Sequence, residues 1–381
     1  MSVSHLFSPL TLRSVTLRNR VMVSPMQQYM AGKDGLAGQF HFQHYGRQAI
    51  GGAGTVMTEA LAVAPDGRVT WHDLGIWNEV QVDSLARIAD LIAEAGAVPA
   101  TQLIHAGRKG SVGRPWEGYD PLREEDAAKG FPPYRTVAAS AIPANRGWHT
   151  PDALDADGIA RLIDAYHVAA KRAAKAGFRF LEIHAAHGYL IHSFLSPLAN
   201  KREDGWGGNL KGRMRLAIAV AEAVRAGWPI DLPLSVRISS VDDQAGGWDI
   251  EDTIALARAL KAVGVDLVDC SSGGLGERTT TKMARRQEGY QVPYAERVRK
   301  DAGVATIAVG LITTPAFAES VIRDGSADLV AIGREALLNP HWPLHAAQAL
   351  GVDPTFSEWP PAWGWWLEKR SRAARVTSTE K

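Results

Sequence analysis

Along most of this chain, short β-rich apolar runs alternate with stretches whose apolar residues recur every three or four positions. That alternation predicts parallel strands joined by helical crossovers. Eight runs read as strands: "NRVMVSPM" (19–26), "GTVMTEALAV" (54–63), "AVPATQLIH" (97–105), "FRFLEIHAA" (178–186), "PLSVRIS" (233–239), "VDLVDCSS" (265–272), "ATIAVG" (305–310) and "ADLVAIG" (327–333). Between them, "SLARIADLIAEAG" and "DGIARLIDAYHVAAKRAAKAG" carry helical spacing and stop at glycine. Eight such units predict an α/β fold, a (β/α)8 TIM barrel. A doubly wound open sheet would share the alternation, but it usually shows a glycine-rich turn after its first strand. Here that strand runs into "SPMQQY" instead.

The third unit is irregular. Residues 106–156 form a long excursion rich in Gly, Pro and Arg, including "GRKGSVGRPWEGYDP". A compact domain rarely carries so long a loop without a use, so the excursion reads as a capping loop or small subdomain over one barrel mouth. The barrel then spans 1–350, and 351–381 is a separate extension. Within it "WPPAWGWW" places Trp359, Trp363, Trp365 and Trp366 close together before a polar end. Two readings stand for this tail: a helix or turn pinned onto the barrel, or a hydrophobic flap across a binding site, its own or that of a neighbouring subunit.

Composition narrows the function classes. Forty-two basic residues against 41 acidic ones give a formal charge of +1, so no global field draws the chain to nucleic acid or an anionic membrane. Cys270 is the sole cysteine, which excludes a disulfide framework within the chain, a cysteine-based zinc knuckle and a four-cysteine iron–sulfur cluster. The first residues, "MSVSHLFSPLTLRSVTLRNR", interrupt their apolar positions with Pro, Arg and Asn and do not read as a signal peptide, and no membrane-length apolar run follows. A soluble, cytoplasmic protein is the expectation.

Barrel enzymes build their sites at the C-terminal ends of the strands. The unusual residues gather there: Ser24, Pro25, Met26 and Gln27 after the first strand, Thr58, Glu59 and Ala60 in the second, Gln102 and His105 in the third, His184 and His187 in the fourth, Arg237 in the fifth. Ser271, Ser272 and Gly273 end the sixth, Gly310 the seventh, and Gly333 with Arg334 the eighth. Gly310 and Gly333 let the backbone approach a ligand and Arg334 can clamp an anion, as in the recurrent phosphate site of barrels. In "HAAHGYLIHSFLSP" (184–197) the His-x-x-His pair lacks the further ligands a zinc site needs, so no metal is expected. Two imidazoles ending one strand, with Tyr189 nearby, read better as donors to a substrate oxygen beside a phenol that can give up a proton. His192 reads as structural.

These segments resemble the Old Yellow Enzyme family, FMN-dependent ene-reductases on a (β/α)8 barrel. The likeness is carried by "HAAHGYLIHSFLSPLANKREDGWGGN", "LFSPLTLRSVTLRNRVMVSPM", "TEALAV", "QLIHAGRKG", "SVRIS" and "VAIGREALLNP", covering roughly residues 5–345. The tyrosine in "SPMQQYMA" points to the thermophilic-like branch, similar to bacterial xenobiotic reductases. The resemblance implies that Ser24, Pro25, Met26 and Ala60 line a non-covalent FMN, that Gln102 meets its pyrimidine edge, and that Arg237 sits near N1 and O2. It further implies that Gly310, Gly333 and Arg334 hold the phosphate. His184 and His187 would then bind a carbonyl or nitro oxygen, Tyr189 would protonate the α-carbon, Tyr29 would reach the same oxygen, and Lys109 would lie on a loop near FMN or its reductant.

The same resemblance implies a ping-pong reaction. NAD(P)H, with NADPH favoured, passes hydride to FMN N5, and an activated alkene, an enone or a nitro compound, accepts it at the β-carbon. A homodimer or higher homo-oligomer is implied by analogy. One departure stands out. Where this branch usually carries cysteine after "SPM", this chain has Gln27, followed by Gln28. An altered flavin potential and substrate pocket are expected, with reduction retained. Two other readings remain open at this stage: a flavin-binding carrier or sensor with little turnover, and a phosphate-handling barrel isomerase or aldolase, although no Schiff-base lysine ends a strand.

Overall fold

The computed structural model describes residues 4–276 and 286–379, with side chains described through residue 373. Each of the eight apolar runs contains a strand: β1 (Val21–Val23), β2 (Thr55–Ala62), β3 (Val98–Ile104), β4 (Phe180–Ala185), β5 (Leu234–Ser239), β6 (Leu267–Ser271), β7 (Ala305–Ala308) and β8 (Leu329–Ile332). Neighbouring strands pair in parallel, and β8 returns to β1 with Ile332 opposite Val23, which closes the barrel. The strands are shorter than the runs, because the predicted ends "SPM" and "VG" leave the ladder and turn into the mouth. β2 and β4 are buried along their whole length, one face turned to the barrel interior and the other to the helices.

The crossovers are α1 (Gln39–Ala49), α2 (Val80–Glu94), α3 (Ala156–Lys175), α4 (Leu210–Gly227), α5 (Ile250–Ala262), α6 (Val292–Ala302), α7 (Pro315–Arg323) and α8 (Trp342–Ala349). α3 shows why these segments are helical. The Asp155 side chain accepts from the Gly158 amide at 2.7 Å and caps the first turn, while Ile159, Leu162, Tyr166, Ala169 and Ala173 bury one stripe. Losing that cap costs about 1 kcal/mol.

One element escaped the sequence reading. Leu10–Leu12 and Val15–Leu17 form an antiparallel hairpin. Its turn is tied to residues just before β5 and β6, through Ser14 N to Asp231 O at 3.0 Å and Arg13 Nε to Asp266 at 2.8 Å. With Val15 and Leu17 buried, the hairpin closes the N-terminal end of the barrel and leaves the C-terminal end for chemistry.

Between β3 and α3 the chain runs through short 3-10 turns at Gly107–Lys109, Pro115–Glu117 and Glu124–Lys129, and a two-residue strand pair, Val137–Ala138 with Asp152–Ala153. Tyr119 and Trp148 from this excursion pack with Tyr29 and Tyr189 around Val69, Ala106 and Val112, an apolar cluster separate from the main core. The tail forms α9 (Pro361–Thr379). Trp359 stacks on His341 and Trp363 meets the same ring edge-on, while Trp365 and Trp366 remain 53% and 65% exposed. Among the described residues no helix is long and apolar enough to cross a membrane, and no His, Cys, Asp or Glu cluster could hold a metal ion.

Candidate active site

The turn after β4 is held from several sides. His187 has φ +60°, a left-handed backbone uncommon for a residue with a Cβ and costing about 1–3 kcal/mol. Its amide donates to Ser239 Oγ at 2.9 Å, and its carbonyl accepts from Lys109 Nζ at 2.8 Å. Lys109 also donates to Gly274 O at 2.7 Å, joining the β4 and β6 loops. Gly188 follows at φ +77°, where a Cβ would lie 2.5 Å from Gly274 O, so only glycine fits. The Gly188 amide donates to His192 Nδ1 at 2.7 Å, and His192 Nε2 stands 2.8 Å from Asp242 Oδ1. His192 therefore anchors the turn from the buried side.

This turn sets the two imidazoles against each other. His184 Nε2 lies 3.2 Å from His187 Nδ1, and His187 Nε2 lies 2.7 Å from Ser271 Oγ. The Tyr189 ring sits edge-on to His184 at 4.9 Å between centroids. Burial first, and the charge of Arg237 second, hold both histidines well below the usual imidazole range. Each ring is neutral at neutral pH and carries a single N–H.

Beneath them the barrel interior carries a polar layer. Register places Gln102 beside Glu182, His184 beside Arg237, and Arg237 beside Asp269. Glu182 accepts from Gln102 Nε2 at 2.8 Å and from Ser235 Oγ at 2.9 Å. Burial, reinforced by the Asp269 charge, pushes the Glu182 carboxyl up to about 8. Burial likewise raises Asp269 to about 6, against the pull of Arg237. Arg237 Nε approaches Asp269 Oδ2 at 3.4 Å without forming a hydrogen bond, and Nη1 reaches Ser24 Oγ at 3.4 Å.

A cavity of about 240 Å³ opens beside this layer, and Ser24, Pro25, Met26, Arg237, Gly310, Gly333 and Arg334 all line it. Gly310 has φ +115°, and a Cβ there would come 2.9 Å from Gln291 Oε1. Leu311 follows at φ +54°. Gln27, Ala60 and Gln102 lie outside this lining: Gln27 Nε2 donates to Ala60 O at 3.3 Å, linking the β1 and β2 ends, and Gln102 turns its amide nitrogen to Glu182. Tyr29, at φ +55°, joins Tyr189 in the small apolar cluster. A larger cavity of about 680 Å³ lies between the loop after β2 and the excursion, among His72, Arg114, Arg123 and Lys129, and none of the strand-end residues lines it.

The structure adds one residue that sequence reasoning missed, Gln291, and gives the strand-end Glu59 a definite role. Gln291, just before α6, donates to Ser272 Oγ at 2.8 Å and Ser271 Oγ at 3.3 Å. Glu59, at the irregularity of β2, is fully buried, accepts from Tyr45 OH at 3.2 Å and from the Gln28 amide at 3.1 Å, and so fixes the loop carrying Gln27 and Tyr29. Glu59 was legible as a charged residue inside the strand run "GTVMTEALAV"; Gln291 had no such signal.

Comparison with known proteins bears on this geometry. Residues 5–352 match the family described as NADH:flavin oxidoreductase / NADH oxidase. The NADPH dehydrogenase of Geobacillus thermodenitrificans is 43% identical over 348 residues, covering 91% of this chain and 95% of the relative. Among solved structures, morphinone reductase superposes with a TM-score of 0.74 at 27% identity, covering 92% of this chain and 90% of that one. A 2-naphthoyl-CoA reductase shares the fold with a TM-score of 0.80 at 23% identity; the match takes in 91% of this chain but 52% of that longer protein. With the barrel, the strand-end residues and these relatives in agreement, this chain belongs to the NADH:flavin oxidoreductase / NADH oxidase family, the Old Yellow Enzyme type, and is an NAD(P)H-dependent flavin oxidoreductase with non-covalent FMN.

Proposed function

We propose that this enzyme is an ene-reductase that saturates the activated C=C bond of enones and related nitroalkenes, with NADPH as the preferred reductant. The residues present suit FMN. Among the described residues Arg237 Nε is buried without a hydrogen-bond partner, and Gly310 lines the same cavity with its backbone packed so close to Gln291 that a Cβ would clash. Ser24, Pro25, Met26 and Ala60 would flank the ring, Gln102 would offer its remaining carbonyl oxygen, and Gly310, Gly333 and Arg334 would take the phosphate. Bound FMN supplies a hydride acceptor for NADPH and a hydride donor for the alkene β-carbon.

The chain's own residues do the rest. As negative charge gathers on the substrate oxygen, the N–H groups of His184 and His187 stabilise it, which makes the β-carbon electrophilic. The Tyr189 hydroxyl delivers a proton to the α-carbon, balancing the hydride, and Tyr29 narrows the pocket from the opposite wall. Arg237 favours the negative charge that reduction places on the cofactor. Lys109 acts by holding the His187 carbonyl rather than by touching substrate.

The observation that carries this reading is the convergence of two neutral imidazoles, 3.2 Å apart, with a tyrosine at the mouth above Arg237. Anaerobic NADPH should bleach the yellow holoenzyme, and 2-cyclohexenone should restore the colour with formation of cyclohexanone. A carrier or sensor would bleach without being reoxidised by the enone, and that outcome would rule the proposal out.

A further inference from the structure

His184 and His187 can serve one oxygen only if both ring nitrogens that face it carry hydrogen, and neutral imidazoles do not guarantee that. For His184 the backbone decides. Its Nδ1 accepts from the Ala186 amide at 3.1 Å, so its proton resides on Nε2. For His187 two tautomers compete. With the proton on Nε2 it would donate to Ser271 Oγ, and Nδ1 would accept from His184. With the proton on Nδ1, two N–H groups face each other across 3.2 Å, and Nε2 is free to accept from the Ser271 hydroxyl.

Ser271 breaks the tie. Gln291 Nε2 already donates to its oxygen at 3.3 Å, so the hydroxyl hydrogen has to find an acceptor. Ser271 is 3% exposed, and among the described residues its one acceptor is His187 Nε2, at 2.7 Å. With an oxygen between the two imidazoles, only the Nδ1–H tautomer of His187 satisfies that buried hydroxyl and both ring N–H groups at once. The cost is a pair of opposed donors, and a single oxygen about 2.9 Å from each nitrogen would satisfy both.

We infer that Ser271, held by Gln291, is a positioning residue that fixes His187 as the Nδ1–H tautomer, so that the histidine pair awaits an anionic or carbonyl oxygen as a two-donor site. The inference rests on the ene-reductase reading and adds what makes the pair competent. Ser271 and Gln291 also line the cavity beside Arg237, but the effect of Ser271 on the histidine pair runs through the far nitrogen of His187.

The test uses FMN-loaded enzyme labelled with 15N-histidine, and p-hydroxybenzaldehyde as an oxygen-bearing probe. In the parent complex His187 should show a protonated Nδ1 and a bare Nε2. In Ser271→Ala the proton should redistribute toward Nε2, and the probe should bind about tenfold more weakly, as for loss of one hydrogen bond to a charged group. A parent enzyme with the proton on Nε2, or a Ser271→Ala variant with unchanged tautomer and affinity, would overturn the inference. His187→Ala separates the two levels. If it weakens the probe while Ser271→Ala does not, only the role of Ser271 falls; if both His184→Ala and His187→Ala bind it as the parent does, the oxygen-binding reading falls as well.

Discussion

Replacing Glu182 by glutamine should make the protein more stable at alkaline pH, by an amount the barrel interior dictates. The parent carboxyl is raised from 4.5 to about 8, chiefly by burial and then by the Asp269 charge. Between those values the unfolded chain has released a proton that the folded chain retains, so stability is greatest at low pH and falls as pH rises through the folded value, by up to about 1.4 kcal/mol per pH unit. Integrated from about pH 5 to about pH 8.5, the loss is about 3 to 4 kcal/mol. A glutamine side chain does not titrate, and it can accept from Gln102 and donate to Ser235, which now flank Glu182 at 2.8 and 2.9 Å. Urea unfolding of the two proteins at matched, saturating FMN is the assay. The curves should nearly coincide near pH 5 and separate in favour of the variant above pH 7. A difference that stays flat across this range would mean that Glu182 is already ionised in the fold, and that Arg237 faces two buried carboxylates rather than one.

His187→Ala should slow alkene reduction by about 10²- to 10³-fold, as for loss of an oxyanion donor, while flavin reduction by NADPH keeps most of its rate in stopped flow. Tyr189→Phe should slow the alkene half-reaction alone, by about 10²- to 10⁴-fold, through loss of the proton donor. Gln27→Cys removes the bond to Ala60 O and should shift the flavin midpoint potential and visible spectrum; a variant unchanged in both would show that Gln27 does not meet the cofactor. Gly310→Ala forces a Cβ onto a φ of +115° and against Gln291, so FMN affinity in fluorescence titration should fall at least about tenfold with the circular dichroism unchanged.

The barrel was legible because its strands are buried on both faces and therefore read as unbroken apolar runs, as "FRFLEIHAA" does at β4. The N-terminal hairpin was not, since three-residue strands are too short for an alternating pattern to stand out. Strand ends placed the cavity residues well: Ser24, Arg237, Gly310 and Gly333 come from separate strands and line one space. The relations among them stayed hidden. Nothing in "VDLVDCSS" announces that Ser271 meets His187, and nothing before α6 marks Gln291, because these contacts join segments 84 and 20 residues apart through side-chain direction. Gln102 shows the same limit: its place was readable, but the commitment of its amide nitrogen to Glu182 depends on a neighbour across the ladder.

Isotopic tracing tests the central claim most directly. With NADPH deuterated at the transferable C4 position and 2-methylcyclohexenone as substrate, in ordinary water, the saturated ketone should carry deuterium at the β-carbon alone. In heavy water with unlabelled NADPH it should carry deuterium at the α-carbon, and Tyr189→Phe should slow that incorporation. Recovery of the alkene unreduced, or of the allylic alcohol in place of the saturated ketone, would contradict the account.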